Sequence, residues 1–314
     1  MRISIIGPGI MPIPPTGWGA VESLIWDYYQ ELTKIGHEVQ IVNTSNPQEI
    51  VNQVNSFSPD FVHLQYDNLC GVLPYISCPN KAITSHYGYL EQQHLYGGYW
   101  NIFNAFVNGN FKIFCLSQGI LEMYRKTGVP EDRLYITPNG ARSDLFEFTK
   151  ESKFPDRSIF LAKITDRKKQ YLYQNLDFID FAGNIDDYRF NTSRSNFLGE
   201  WTKEFLYKNL TNYSNLVLLS DGEAHPLVCC EALVCGLGLV VSEFAAANLD
   251  TSLPFIDVVP TDKLNDLEYV SQVIRKNQSI SSTMREEIRE YGLNNFDWTK
   301  IVKSYSELVQ NICK

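Results

Sequence analysis

Two glutamates and one basic run hold the side chains in this sequence best suited to chemistry. Glu223 and Glu231 are eight positions apart, a little over two turns of a helix. Between them stands Pro226, a residue that fits a first helical turn because its missing N–H would be unpaired there anyway. Leu216 to Ser220 reads as a buried strand before the pair, and Gly236 with Gly238 closes the helix before the strand Leu239-Val-Val-Ser242. A helix starting at Pro226–Leu227 and aimed into a cleft attracts anions, phosphate above all. One carboxylate before that helix and another on its inner face can each accept a hydrogen bond from a hydroxyl. An anion hole with two hydroxyl acceptors suits a sugar nucleotide. The plainer alternative is a buried βαβ unit in which Glu223 caps the helix and Glu231 is solvated.

The basic run is Lys163-Ile-Thr-Asp-Arg167-Lys168-Lys169, directly after the strand Ser158–Ala162. Such a run is either a solvated face or, at the mouth of a parallel sheet, a neutraliser of diphosphate. No Asp-x-Asp dyad or His/Asp cluster accompanies these motifs, so the expected chemistry needs no metal.

The elements that must position these groups follow from apolar runs bounded by Gly and Pro. Ile3 to Gly7 is a first buried strand, and a Pro- and Gly-rich loop leads through Gly17-Trp18-Gly19-Ala20-Val-Glu22 into a helix that stops at Gly36. Val39–Val42, Phe61–Gln65 and Ala82–Gly88 are further strands, the last ending in His86-Tyr87-Gly88. Residues just past the carboxyl ends of parallel strands face the ligand crevice of an open sheet, which singles out His86. Residues 89–111 are aromatic and Gly-interrupted, and read as a packed helix and loop, the other reading being a stacking platform for an acceptor sugar. Lys112–Ser117 is a strand and Gln118–Gly128 a helix with Ser117 as its N-cap. Residues 141–156 are charged, Pro-bounded and short of apolar period, which makes them the linker. In the second half come a helix over 168–178, strands at 179–184, 196–200, 215–220, 239–242 and 257–260, and helices at 202–210, 265–276, 282–291 and 296–308.

Bulk composition narrows the class. A chain of 314 residues suits two domains better than one. The formal charge is −9, and residues 1–148 carry 8 Lys and Arg against 13 Asp and Glu. No basic field is available for nucleic acid, and charge lends no support to peripheral docking on an anionic membrane. No apolar stretch is long enough to span a bilayer, and the start is too soon broken by Gly and Pro to be a signal peptide. Seven cysteines with no Cys-x-x-Cys pair read as reduced core thiols of a cytoplasmic protein.

At several of these stretches the sequence resembles the retaining glycosyltransferases of family 4, which have the GT-B fold of the glycogen phosphorylase-type superfamily. Glu223, seven residues, Glu231-Ala232, a small-residue helix end and Leu239-Val-Val are similar to that family's signature. So are Pro14-Pro15…Gly19-Ala20-Val-Glu22…Gly36-His37-Glu38-Val39, Pro138-Asn139-Gly140, Lys163 with Lys168 or Lys169, and the closing segment Phe296-Asp-Trp298. The sequence departs from the family at Ala20, where a glycine is usual, at Lys163, usually arginine, and in the Tyr87 inserted between His86 and Gly88.

The resemblance implies an α/β chain of two doubly wound, parallel-sheet, Rossmann-like domains facing across a cleft. It divides the chain into an acceptor-side domain over 1–145, a donor-side domain over 156–294, and a helix at 295–314 crossing back to the first. It implies transfer of a sugar, with retention, from a nucleoside-diphosphate sugar to a hydroxyl of a glycan or other acceptor, with no cofactor and no enzyme nucleophile. Lys163, Lys168, Lys169, Glu223 and His86 are then the catalytic set. Gly19, Ala20, His225, Pro226, Leu227 and Glu231 bind the donor, and Trp18, Glu22 and Tyr87 adjoin the acceptor. Three rivals remain: an inactive sugar-nucleotide-binding protein of this fold, a sugar-nucleotide epimerase, and a nicotinamide oxidoreductase, whose Gly-x-Gly-x-x-Gly pattern does not follow Gly7-Pro-Gly9.

Overall fold

The Val-, Ile- and Leu-rich runs form two parallel sheets in the computed structural model, which describes residues 1–17 and 19–314. By internal contacts the chain divides into two units, Met1–Pro138 with Trp298–Lys314, and Asn139–Asp297.

In the first unit the strands are β1 Arg2–Ile6, β2 Glu38–Val42, β3 Phe61–Leu64, β4 Lys81–Ile83, β5 Lys112–Cys115 and β6 Leu134–Ile136. Their spatial order is β2-β1-β3-β4-β5-β6, and all pairs are parallel. Parallel strands are covered on both faces, and β1 shows the consequence, with Ile3, Ile5 and Ile6 fully buried. The helices are α1 Ala20–Lys34, α2 Pro47–Phe57, α3 Trp100–Asn108 and α4 Gln118–Lys126. Ser117 caps α4 by accepting from the Ile120 amide, and Asn46 caps α2 in the same way.

The second unit holds β7 Phe154–Leu161, β8 Ile179–Ala182, β9 Tyr213–Leu218, β10 Gly238–Ser242 and β11 Ile256–Val259, in the order β11-β10-β9-β7-β8 and again all parallel. Its helices are α5 Gln170–Tyr173, α6 Lys203–Asn209, α7 Leu227–Val234, α8 Leu267–Thr283 and α9 Arg285–Phe296. α7 is apolar nearly all round, and Ala232, Leu233 and Val234 are fully buried. It stops at Gly236, whose φ of 76° is costly for any side chain, as the Leu237 amide turns back onto Ala232 O at 3.0 Å. The last helix, α10 Trp298–Ile312, belongs to the first unit, where Trp298 and Tyr305 each lie 4.8 Å from the Tyr28 ring, centroid to centroid.

Both sheets are doubly wound. Strand order reverses between β1 and β3 in one and between β7 and β9 in the other, and at such switch points the loops part and leave room for a ligand.

Four expectations are corrected. Residues 196–200 form no regular strand; Phe197 makes an isolated parallel bridge to Phe181, and the segment lies along β8 with Asn196 O and Gly199 O accepting from the Phe181 and Gly183 amides at 2.8 and 2.9 Å. The helix expected over 168–178 shrinks to the single turn of α5, because Lys169 adopts a left-handed φ of 55°. The strand expected through Gly88 ends at Ile83; the Thr84 amide makes one more bond to Leu64 O at 2.9 Å, and the side chains of Thr84 and Ser85 bond His63 and Asp67. Residues 141–156, expected to be a linker, pack within the second unit: the Ala141 amide donates to Phe296 O at 2.8 Å and Phe146 joins the core. The aromatic segment is largely packed, with Tyr96, Tyr99, Phe103 and Phe106 buried.

Candidate functional site

In the second unit the loops after β7 and β9 leave opposite sides of the switch point and are stitched together by the Asp221 amide, which donates to Arg167 O at 2.9 Å. The first loop makes a single 3₁₀ turn at Asp166–Lys168, capped by Thr165. Lys169 follows in a left-handed conformation that costs a non-glycine residue ~1–2 kcal/mol. These constraints aim three cations at two carboxylates. Lys168 Nζ and Arg167 Nη1 both reach Glu223 Oε1, the latter at 2.9 Å, and Lys169 Nζ meets Asp221 Oδ2 at 2.8 Å. Arg167 also donates to Gly222 O.

The pair at the centre is nearly dry, with the Lys168 side chain 11% exposed and Glu223 9%. Burial opposes ionisation of Glu223, but Lys168 and Arg167 outweigh it and hold the carboxyl below its ordinary range. Burial lowers the Lys168 amine, Arg167 adds to the effect, and Glu223 offsets only part of it. Chemically this is a preorganised cationic corner: a guanidinium fork and an ammonium share one carboxylate oxygen and keep further N–H groups for an anion.

The other donor-side residues are arranged around this corner. α7 begins at Leu227 after an extended Pro226, with no side-chain cap, so Glu223 is not its capping residue. Glu231 lies on α7, is not solvated, at 13% exposure, and faces Lys203 Nζ at 3.7 Å. The His225 ring turns inward: its Nδ1 accepts from the Asn139 amide at 2.9 Å, its Nε2 is 3.8 Å from Cys230 Sγ, and burial pushes its pKa down to about 4. Lys163 does not join Glu223; its Nζ pairs with Asp186 Oδ2 at 2.8 Å, beyond β8.

In the first unit, Gly19 precedes α1 at φ 139°, a conformation that excludes ordinary side chains. Ala20 starts the helix with its methyl group exposed, and Glu22 is buried in the first turn. Trp18 lies outside the described residues. His86, past β4, bonds Gln65 Oε1 at 2.9 Å through Nε2, and burial lowers its pKa to about 4 against the pull of Asp67. Tyr87 stacks on Tyr99 with centroids 3.9 Å apart. Asp67, past β3, is buried and accepts from Ser85 Oγ at 2.7 Å and Tyr99 OH at 2.8 Å.

Thus the structure unites Lys168, Lys169 and Glu223 at one switch point, with Pro226 and Leu227 following in the same loop and helix start. Lys163, His225 and Glu231 have partners of their own, and His86, Tyr87, Gly19, Ala20 and Glu22 belong to the first unit. Arg167 and Asp221 were not singled out from sequence, although both lie in stretches that were. Gln65, His63 and Asp67 were also missed, and position at the end of β3 was the available signal. Among the described residues, no group of three or more His, Cys, Asp or Glu is arranged to hold a metal ion, and no helix is long and apolar enough to cross a membrane.

Two doubly wound parallel sheets in one chain, with the last helix returning to the first unit, make this a GT-B fold. Solved structures similar to it include sucrose-phosphate synthase from Thermosynechococcus elongatus, with TM-score 0.79, 15% identity and 99% of each chain covered. Anabaena HepE in complex with UDP and glucose gives TM-score 0.72 at 13% identity, covering 99% of this chain and 100% of that one. WaaG, a glycosyltransferase involved in lipopolysaccharide biosynthesis, gives 0.70 at 14% identity, covering 98% and 99%. No family model and no curated protein sequence matches the chain.

Proposed function

We propose that this protein is a retaining glycosyltransferase that moves a sugar from a nucleoside-diphosphate sugar to a hydroxyl acceptor, in the manner of family 4 and without a metal. The observation that carries the reading is the meeting of Lys168 and Arg167 on Glu223, with Lys169 beside them on Asp221, at the β7/β9 switch point. Breaking the anomeric C–O bond puts negative charge on the departing diphosphate. Fixed cations stabilise that charge without reorganising, and Lys168, Lys169 and Arg167 are suited to it, with the start of α7 adding its dipole. Glu223, released from part of its cation pairing by the phosphates, takes hydroxyls of the transferred sugar and holds it in reactive geometry. Glu231 accepts from the ribose hydroxyls, as acidic residues do in dinucleotide folds. The incoming hydroxyl attacks from the face the diphosphate leaves, so no enzyme nucleophile is required. The complex of HepE with UDP and glucose supports a sugar nucleotide as ligand of this fold. The seven free thiols suit a reducing cytoplasm.

A second reading, a sugar-nucleotide-binding protein with little or no activity, is favoured by one observation: Lys163 stands where the resembled family has arginine and is drawn to Asp186. A thermal-shift screen of UDP, GDP, ADP and TDP sugars finds the donor, because a ligand of the folded state raises the melting point by mass action. A product assay with that donor then separates the readings. Transfer or slow donor hydrolysis supports the enzyme; tight binding with neither supports the binder.

A further inference from the structure

His86 ends a buried hydrogen-bond chain that runs back through the first unit to α10. His86 Nε2 is 2.9 Å from Gln65 Oε1, and Gln65 Nε2 is 3.2 Å from His63 Nδ1. The same His63 nitrogen is 3.0 Å from Tyr305 OH, while His63 Nε2 is 2.8 Å from Thr84 Oγ1. Gln65, His63, Thr84 and Tyr305 are all buried.

Proton positions along this chain follow from which atoms can donate. Tyr305 is 3% exposed, and among the described residues His63 Nδ1 is the hydrogen-bond partner of its hydroxyl. A buried O–H left without an acceptor is costly, so Tyr305 donates and His63 Nδ1 is bare. Gln65 then also donates to that nitrogen through its NH₂ group, which turns its carbonyl oxygen to His86. A ring nitrogen facing a carbonyl oxygen has to carry a proton, so His86 is protonated on Nε2. Burial keeps both imidazoles neutral near pH 7, with pKa values lowered to about 3 for His63 and about 4 for His86. Neutral His86 therefore has a bare Nδ1, and no described residue donates to it.

We propose that Gln65 is a positioning residue which, backed by His63 and Tyr305, locks His86 in the Nε2–H tautomer so that Nδ1 accepts a hydrogen bond from a ligand hydroxyl. The proposal rests on the transferase reading for the identity of that ligand as a sugar. It assigns His86 a chemical preference: a bare nitrogen takes a hydroxyl and repels phosphate and carboxylate oxygens, whereas the opposite tautomer would do the reverse.

The test is a long-range ¹H–¹⁵N correlation spectrum of the full chain labelled with ¹⁵N-histidine and free of ligand, with His86 assigned from the signals lost in His86→Gln. The expected pattern is a protonated Nε2 and a bare, strongly downfield-shifted Nδ1; protonation at Nδ1 would overturn the proposal and needs no further variant to read. Gln65→Met, which keeps the bulk and removes the amide, is expected to show both tautomers, and persistence of pure Nε2–H would show that Gln65 does not set it. In titrations, the same variant is expected to bind the nucleoside-diphosphate sugar about tenfold more weakly and the bare nucleoside diphosphate unchanged. Equal loss for both ligands would overturn the hydroxyl role. Failure of the wild-type chain to bind either would overturn the transferase reading together with that role, while the ligand-free spectrum still decides the tautomer.

Discussion

Glu223 has two cationic partners and Lys168 has one anionic partner, and this asymmetry sets the outcome of removing either. Glu223→Gln strips the counter-charge from a Lys168 amine that is almost inaccessible to water, and leaves Arg167 beside it as a like charge. Breaking a buried pair from one side in this way costs about 3–5 kcal/mol. Lys168→Met leaves Glu223 still bonded to Arg167 at 2.9 Å and fills the space with an apolar chain. The loss is then one charge-assisted hydrogen bond, ~1.5–3 kcal/mol. The glutamine variant is therefore less stable than the methionine variant by roughly 1–2 kcal/mol. Hydrogen exchange of β7 and β9 peptides, read by mass spectrometry as the free energy of opening the second unit, measures the difference. The gap should narrow toward alkaline pH. With its pKa below that of a free lysine, Lys168 sheds its proton in the folded state first, and the folded state gains stability as pH rises. A Lys168→Met chain as unstable as Glu223→Gln, or more so, would refute the claim that Arg167 shares the carboxylate.

Lys169 sits at φ 55° with its amine on Asp221. Lys169→Gly relieves ~1–2 kcal/mol of backbone strain, offset by ~0.4–1 kcal/mol of added freedom in the unfolded chain and 0 to about 1 kcal/mol for a half-exposed ion pair. Its urea midpoint should stay near wild type while nucleotide affinity falls; Lys169→Ala, which keeps the strain, should be about 1 kcal/mol less stable than the glycine variant, and equal midpoints for the two would contradict the strain. His225 has a folded pKa of about 4, below the ordinary 6.5, so only the unfolded chain takes up its proton between those values. Stability should fall by up to roughly 3 kcal/mol from pH 6.5 to 4 on its account and level off below. A chain carrying His225→Gln should show a shallower decline over that window, and an unchanged slope would remove His225 from the acid response. Glu231→Ala should weaken nucleotide binding more than turnover, and Glu223→Ala the reverse; calorimetry beside steady-state rates checks the split, and parallel losses would leave the two roles unsupported.

Most strands were legible because parallel strands covered on both faces are dense in Val, Ile and Leu, as Ile5-Ile6 in β1, Leu216–Leu218 in β9 and Leu239–Val241 in β10 are. The helix after Pro226 was legible from its Pro start and Gly stop, and α7 spans Leu227–Val234 between them. Helix α2 was overlooked because only Ile50 and Val54 of its eleven residues are buried, although Asn46-Pro47 is a standard helix start. The pairing of Arg167 with Glu223 was beyond reach for a different reason. It joins residues far apart in sequence and depends on the parallel register of β7 with β9 and on the left-handed turn at Lys169, neither of which side-chain periodicity encodes. The hydrogen-bond chain from Tyr305 to His86 needs, besides the return of the closing helix that the resemblance implied, the meeting of Tyr305, His63, Gln65 and His86 side chains, which only the fold reveals.

The central claim is that the cations beside the β7/β9 switch point stabilise a departing diphosphate. Turnover of the Lys168→Ala/Lys169→Ala double variant, measured with the donor that most raises the melting point of the wild-type chain, tests it most directly. A fall in kcat of about a hundredfold or more is expected, the usual cost of removing a donor aimed at transition-state charge. A double variant that turns over at the wild-type rate would contradict it.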